Sequence, residues 1–111
     1  MTEPDPPILV LVRDLMFASK IRATAQSVNA AVQMLREPSQ LTGAVGRGLI
    51  VDLNQPGALD AAVAWKGATG GEVVGFASHV DTQTIQSARL AGIDRVLPRS
   101  RFVEVLPDLL R

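Results

Sequence analysis

Gly48-Leu49-Ile50-Val51-Asp52-Leu53-Asn54-Gln55-Pro56-Gly57 is the stretch that decides the fold. Branched apolar residues run up to an acid, and turn-forming residues follow at once. A short apolar run bounded in this way is typical of a strand buried on both faces of a parallel sheet. An Asp at the carboxyl end of such a strand lies where open α/β sheets bind ligands. In the alternative interpretation, Asp52 only accepts a hydrogen bond within a turn.

The composition excludes several classes of function. The chain has 111 residues, which suits one domain with one core. Its 11 basic and 11 acidic residues balance, so neither nucleic acid nor a membrane is an expected partner. With no cysteine and one histidine, His79, the chain has no thiol chemistry and no multi-histidine metal centre. A nucleophile–base pair cannot be assembled either, so an enzyme is not expected.

The start of the chain predicts a tail followed by a single domain. Residues 1–7 are polar, acidic and rich in proline, which predicts a disordered or extended segment without the basic region of a signal peptide. The apolar run Ile8–Val12 is far too short to span a bilayer. We therefore expect a cytoplasmic protein whose domain covers residues 8–111.

Hydrophobic periodicity and turn residues predict alternating strands and helices. Besides the central stretch, strands are predicted at residues 8–12, 72–77 and 94–97. Helices are predicted at about residues 15–27, 38–45, 58–66 and 82–91, and a last one follows Ser100. Asp14 and Asp81 are suited to cap two of these helices, and Pro107 is expected to kink or interrupt the last one.

Residues 30–35 allow two interpretations. The spacing of Val28, Val32 and Leu35 would let the first helix continue through them. We favour an edge strand, because Arg36-Glu37-Pro38-Ser39 breaks the segment where a strand-to-helix turn is needed.

Five strands alternating with five helices predict a parallel sheet with right-handed crossovers. The expected fold is α/β, a doubly wound three-layer sandwich with strand order 2-1-3-4-5, as in flavodoxin. Its switch point lies between strands one and three, where Asp14 and Asp52 would meet. The ends of strands four and five add further side chains at the same edge: Ala77, Ser78, His79, Leu97, Pro98 and Arg99.

This constellation resembles the receiver domain of response regulators, the CheY-like module of two-component phosphorelays, over nearly the whole chain. The resemblance rests on Asp14 after the first strand, on the stretch from Asp52 to Pro56, and on Ala91-Gly92 before the fifth strand. It implies that Asp52 is the phosphoacceptor, with Asn54 as a neighbour in the pocket. It also implies that Asp14 belongs to the acidic pair that, together with the phosphoacceptor, holds Mg²⁺ in receivers.

Several positions depart from the receiver pattern. Arg13 stands where the first acid of the pair is expected, so it would compete with Mg²⁺ and could pair directly with Asp52. The Ser/Thr position falls on Ala77, or on Ser78 if one residue is deleted. The Lys position falls on Arg99, or on Leu97 if the following proline is aligned instead. The glycine that receivers carry early in the third helix is also missing, and Asp60 lies close to its place.

These departures favour a degenerate, stand-alone receiver that acts through protein–protein interaction. It would need no cofactor, or at most Mg²⁺, and its partner would be a histidine kinase, another signalling protein or a second copy in a homodimer. A working phosphoacceptor that tolerates Arg13, and a flavodoxin-like module that binds a small anionic ligand, remain alternatives. In purely structural interpretations, Asp14 is a helix cap and His79 is a solvated loop residue.

Overall fold

The computed structural model describes residues 6–111. Within that range a single five-stranded parallel sheet has the order β2-β1-β3-β4-β5. The strands are β1 (Ile8–Leu11), β2 (Val32–Leu35), β3 (Gly48–Asp52), β4 (Glu72–Ala77) and β5 (Arg95–Pro98). The α-helices are α1 (Leu15–Ser27), α2 (Ala58–Thr69), α3 (Thr82–Leu90) and α4 (Arg99–Leu109). The predicted α/β class and strand order are confirmed.

The helices cover both faces of the sheet, as a three-layer sandwich requires. On one face, buried side chains of α1 and α4 pack against Val10, Ile50 and Phe76. On the other face, α2 and α3 pack against the strand residues that alternate with these, such as Leu49 and Val51. All five strands are parallel, so their carboxyl ends lie at one edge of the sheet and bring the loops after β1, β3, β4 and β5 together.

The ambiguous segment at residues 30–35 contains a strand. β2 covers Val32–Leu35 and pairs with β1 at the edge of the sheet. The first helix ends before it because Asn29 adopts the left-handed conformation, with φ of 57°. The interpretation as an edge strand is therefore confirmed.

The connection from β2 to β3 is shorter than the sequence pattern suggested. A helix to about Val45 was expected, but the chain forms one 3-10 turn, Pro38–Leu41. Gly43 has a φ of 74°, which ends helical structure, and the backbone at Gly46 lies against β1. A Cβ at Gly46 would lie 2.6 Å from Leu9 Cγ and 2.9 Å from the carbonyl oxygen of Pro7, so the close approach of the backbone to β1 requires glycine at this position. Within residues 6–111, four α-helices and this turn thus replace the five predicted helices.

Other helix predictions are partly wrong. The apolar spacing in the second and third α-helices would place Val63 and Leu90 towards the core, yet these side chains are 36% and 90% exposed. α2 continues through Gly67 to Thr69 and ends where Gly70 takes a left-handed φ of 72°. Proline or glycine inside a helix costs stability, but packing of the opposite face can outweigh that cost.

The last helix also differs from its prediction. It begins at Arg99, after Pro98 and not at a Ser100 cap, and no side chain caps it. It runs through Pro107 to Leu109, so Pro107 does not interrupt the helix. Pro107 lies in the last turn, where the N–H of Leu110 still donates to the carbonyl of Leu106 at 3.2 Å.

The predicted tail falls mostly outside the described residues, which begin at Pro6. The next residue, Pro7, is already held to the domain, because its carbonyl accepts a hydrogen bond from the N–H of Arg47 at 3.0 Å. No helix in residues 6–111 combines the length and the apolar character needed to cross a bilayer.

Candidate functional site

Asp52 is the last residue of β3 and lies at the predicted switch point of the sheet. Its side chain is only 13% exposed. One carboxylate oxygen, Oδ1, accepts a hydrogen bond from the N–H of Asn54 at 3.0 Å. The other oxygen, Oδ2, lies 3.8 Å from Nη2 of Arg99. Asp52 is therefore a largely buried carboxylate with one hydrogen bond and a cation within 4 Å.

Arg99 is positioned by aromatic rings. Its guanidinium carbon lies 5.4 Å from the ring centre of Phe17 and 5.9 Å from that of Phe76. Phe102 stacks on Phe76 with ring centres 4.4 Å apart, so one aromatic residue each from α1, β4 and α4 forms a continuous cluster. Cations over aromatic faces gain electrostatic stabilisation and lose mobility. This cluster holds the guanidinium beside Asp52.

The pKa of Asp52 reflects these surroundings. Burial is the largest influence and raises the pKa of Asp52 above its usual value. The hydrogen bond from Asn54 and the charge of Arg99 lower the pKa, and the charge of Asp14 raises it further. Because the net effect is upward, the fold holds the Asp52 anion at some cost in free energy.

Asp14 caps α1 as the sequence predicted. Its Oδ1 accepts hydrogen bonds from the N–H groups of Met16 at 2.9 Å and Phe17 at 3.2 Å. Its charge also raises the pKa of Asp52. Capping α1 therefore does not prevent Asp14 from acting electrostatically on Asp52.

Arg13 does not pair with Asp52. Its Nη2 donates to Oε2 of Glu37 at 2.6 Å, and both side chains are about half exposed. Arg13 follows β1 and Glu37 follows β2, which are neighbouring strands, so the pair forms across the edge of the sheet. The cation beside Asp52 is Arg99 instead. Leu97, the other candidate for the Lys position, packs into the core between the sheet, α1 and α4.

Asn54 and Ser78 meet above the ends of β3 and β4. The side chain of Asn54 accepts a hydrogen bond from the N–H of Ser78 at 2.7 Å and donates one to Asp81 Oδ2, also at 2.7 Å. Ala77 is buried, and His79 is exposed in the following loop. The backbone of Ser78, not its hydroxyl group, makes the contact with the candidate site.

Sequence reasoning missed two features of the site. The aromatic cluster beside Arg99 could have been suspected from the sequence, because it contains all three phenylalanines of the chain. The hydrogen bond from Asn54 to Asp81 could not be predicted from the sequence, because it depends on the conformations of two loops that are 27 residues apart.

The residues at this site do not fit the usual three-acid magnesium site of receivers. Mg²⁺ needs an octahedron of oxygen ligands, normally from carboxylates, waters and phosphates. Among residues 6–111 no three acidic or histidine side chains converge to hold a metal ion. The guanidinium of Arg99 also lies against Asp52, where it would repel a divalent cation.

The substitution Asp52→Asn is expected to raise the free energy of unfolding at pH 7. The native pKa of Asp52 is raised above 3.8, so the ionised carboxylate destabilises the native state relative to the unfolded one. This gain should shrink as the pH falls through the raised native pKa, and vanish below the unfolded value, where both states are protonated. Urea titrations of both proteins between pH 3 and pH 7 measure this difference.

Asp81→Asn is the control, and it is expected to change the free energy of unfolding in the opposite direction. Hydrogen bonds from Thr84, and then from Asn54, lower the pKa of Asp81, so its ionised form stabilises the native state. Its substitution should lower stability at pH 7, and the loss should fade as the pH drops through the lowered pKa. The same sign for both substitutions would contradict this account of the two carboxylates.

The sequence matches no protein family and no curated protein. Solved structures, in contrast, match over nearly the whole chain. The BeF3-activated receiver domain of DrrB has a TM-score of 0.79 and 14% identity, covering 96% of this chain and 94% of that chain. A Saccharomyces cerevisiae receiver domain, co-crystallised with a histidine phosphotransfer signalling protein, has a TM-score of 0.77 and 11% identity, covering 99% and 89%.

A third matching structure contains ligands. It is a response regulator from Burkholderia pseudomallei with a phosphorylated aspartic acid, a calcium ion and citrate. It has a TM-score of 0.78 and 17% identity, covering 96% of this chain and 67% of that chain. At such low identities the likeness establishes the fold alone: the chain has the CheY-like fold of response-regulator receiver domains.

Proposed function

We propose that the chain is a degenerate receiver domain that acts in signalling by binding a partner protein. The observation that carries this proposal is the ion pair between Asp52 and Arg99. Phosphoryl transfer relies on a divalent metal ion to offset negative charge, and a guanidinium beside the acceptor carboxylate repels such an ion. Here the guanidinium is seated on Phe17 and Phe76 and already faces the carboxylate.

The missing first acid supports the same conclusion. Arg13 occupies its position and is engaged with Glu37, so Asp14 is the remaining acid beside Asp52. With a divalent ion disfavoured, the charge that builds up during phosphoryl transfer would have to be offset by the guanidinium of Arg99 without a metal ion. The receiver fold would then serve as a scaffold whose surface is recognised by a partner such as a histidine kinase or a histidine phosphotransfer protein.

The proposal is tested by intact mass after incubation with acetyl phosphate and Mg²⁺. We expect no phosphoryl adduct on the native chain and none on the control variant Asp52→Asn. An adduct on the native chain alone would overturn the proposal and establish Asp52 as a working phosphoacceptor. Circular dichroism of each sample shows that the protein tested is folded.

The double variant R13D/R99K sharpens this test. It supplies the acid and the lysine that the resemblance to receivers calls for at these two positions. If the two arginines are what removed phosphoryl transfer, an adduct should appear on this variant but not on the native chain.

A separate experiment measures the binding of a histidine phosphotransfer protein by calorimetry. Its affinity should be equal for the native chain and Asp52→Asn, because binding would not depend on phosphorylation.

A further inference from the structure

A cavity of about 440 Å³ lies between α2 and the connection from β2 to β3. On the side of the connection, one 3-10 turn, Pro38–Leu41, stands in place of the expected helix. On the other side, α2 contributes the small side chains of Ala61, Ala64 and Ala68. Neither element fills the space between them, so the fold leaves room for another molecule.

All the residues that line this cavity are uncharged. Three charged residues adjoin them in sequence, and each faces elsewhere. Glu37 accepts a hydrogen bond from Arg13 at 2.6 Å, and Lys66 donates one to Asp94 at 2.7 Å. Asp60 lines a different cavity, between the start of α2 and α3. A charged ligand would lose hydration here without gaining a counter-ion, so the cavity suits a neutral molecule.

The main polar groups around the cavity already have partners. The indole N–H of Trp65 donates to the carbonyl oxygen of Ala44 at 3.0 Å. The hydroxyl group of Thr69 donates to the carbonyl oxygen of Trp65 at 2.8 Å and accepts from the N–H of Gly71 at 3.1 Å. A ligand would therefore be held by apolar contact and not by a set of hydrogen bonds.

Trp65 gives the cavity a preformed aromatic wall. Its side chain is 3% exposed and is fixed at one end by the hydrogen bond to Ala44. At the other end, Cζ3 of the ring lies 2.7 Å from the place that a Cβ at Gly71 would take, so the ring packs directly on the backbone. A wall that is already ordered lowers the entropic cost of binding, and aromatic rings pack well against one another.

We propose that this cavity binds a neutral, apolar aromatic molecule of one or two rings. Its volume is near the lower end of the range for small-molecule sites, about 300–1,000 Å³. A partner protein is a poorer fit, because a stable interface covers about 800 Å² on each partner. Val45, which is 69% exposed, is the exposed large apolar side chain at the cavity. The site does not involve Asp52 or Arg99, so the inference goes beyond the proposed function and does not depend on it.

The test is a titration of the native chain with indole, followed by the backbone amide signals in NMR spectra. The signals of Ala44, Ala64 and Ala68 should shift and saturate, with a dissociation constant of about 0.1–1 mM. Those of Asp52 and Arg99 should not move. Indole-2-carboxylate, which adds a negative charge to the same rings, should bind about ten-fold more weakly or less. Absence of saturable shifts with indole, or equal affinity for both probes, would overturn the proposal.

Two substitutions in α2 test the position of the ligand. Ala64→Leu should fill the cavity and weaken the binding of indole by about ten-fold or more, and because Ala64 is exposed the helix can carry the larger side chain. Val63→Leu is the matched control, since it adds bulk to the same helix at a residue that does not line the cavity. Circular dichroism shows that both variants are folded. Native affinity in Ala64→Leu, or the same loss in both variants, would contradict the assignment.

A dilution series without indole tests a second copy of the chain as the occupant. The signals of Ala44, Ala64 and Ala68 should not depend on protein concentration. If they shift with concentration in the way that indole shifts them, the cavity is an interface between copies and the proposal of a small ligand is wrong. Neither experiment involves phosphoryl transfer, so the proposed function is decided separately by its own mass and binding measurements.

Discussion

Phe76→Ala is expected to lower the free energy of unfolding by about 3–5 kcal/mol, one of the two largest losses that we predict. Phe76 is fully buried in β4, and its ring lies 4.4 Å from that of Phe102 and 4.9 Å from that of Phe17. Its removal leaves a cavity where α1, α4 and the sheet meet. Since a domain of this size is stable by only about 5–15 kcal/mol, much of the protein could unfold at 37 °C.

Guanidinium titration followed by circular dichroism measures this loss. Leu90→Ala is a suitable control, because Leu90 is 90% exposed and its truncation should change stability by less than about 0.5 kcal/mol. A loss below about 1 kcal/mol for Phe76→Ala would mean that the surrounding side chains close the cavity.

The fold could be predicted because its signals are local. The apolar run before Asp52 and the strand Glu72–Ala77 are each bounded by turn residues, and the helix caps at Asp14 and Asp81 are short-range patterns. Alternating strands and helices then leave few topologies open. The strand order followed from these elements as the most economical doubly wound arrangement.

The connection between β2 and β3 could not be predicted in the same way. Pro38 does begin a helical turn, as the sequence suggested. The turn stops at Leu41 because the backbone near Gly46 must pass against Leu9, a contact between residues 37 positions apart. Single-sequence patterns carry no information on such an approach.

The sequence predicted which edge of the sheet carries the candidate site, but it did not predict the contacts within the site. Strand ends predicted that Asp52 and Arg99 lie at one edge, and the structure places Asp52 Oδ2 3.8 Å from Arg99 Nη2. Which cation faces Asp52 was decided by side-chain packing, since Glu37 binds Arg13 and the aromatic cluster holds Arg99. These choices depend on tertiary contacts that the order of residues does not reveal.

The shortened β2–β3 connection also makes Trp65 indispensable. Trp65 is 3% exposed in α2, and its indole N–H donates to the carbonyl of Ala44 at 3.0 Å. A cavity of about 440 Å³, lined by uncharged residues, lies between α2 and this connection. The indole ring therefore links this connection to α2.

Trp65→Ala is therefore expected to lower the free energy of unfolding by about 3–5 kcal/mol. Trp65→Phe is the matched variant, because it keeps an aromatic ring but removes the donor to Ala44. The lost hydrogen bond alone should cost about 0.5–1.5 kcal/mol, so this variant should lie between Trp65→Ala and the native chain. Circular dichroism during denaturation compares all three proteins without relying on the fluorescence of the substituted residue. Equal stability of Trp65→Ala and the native chain would mean that the connection from β2 to β3 is held by the sheet alone.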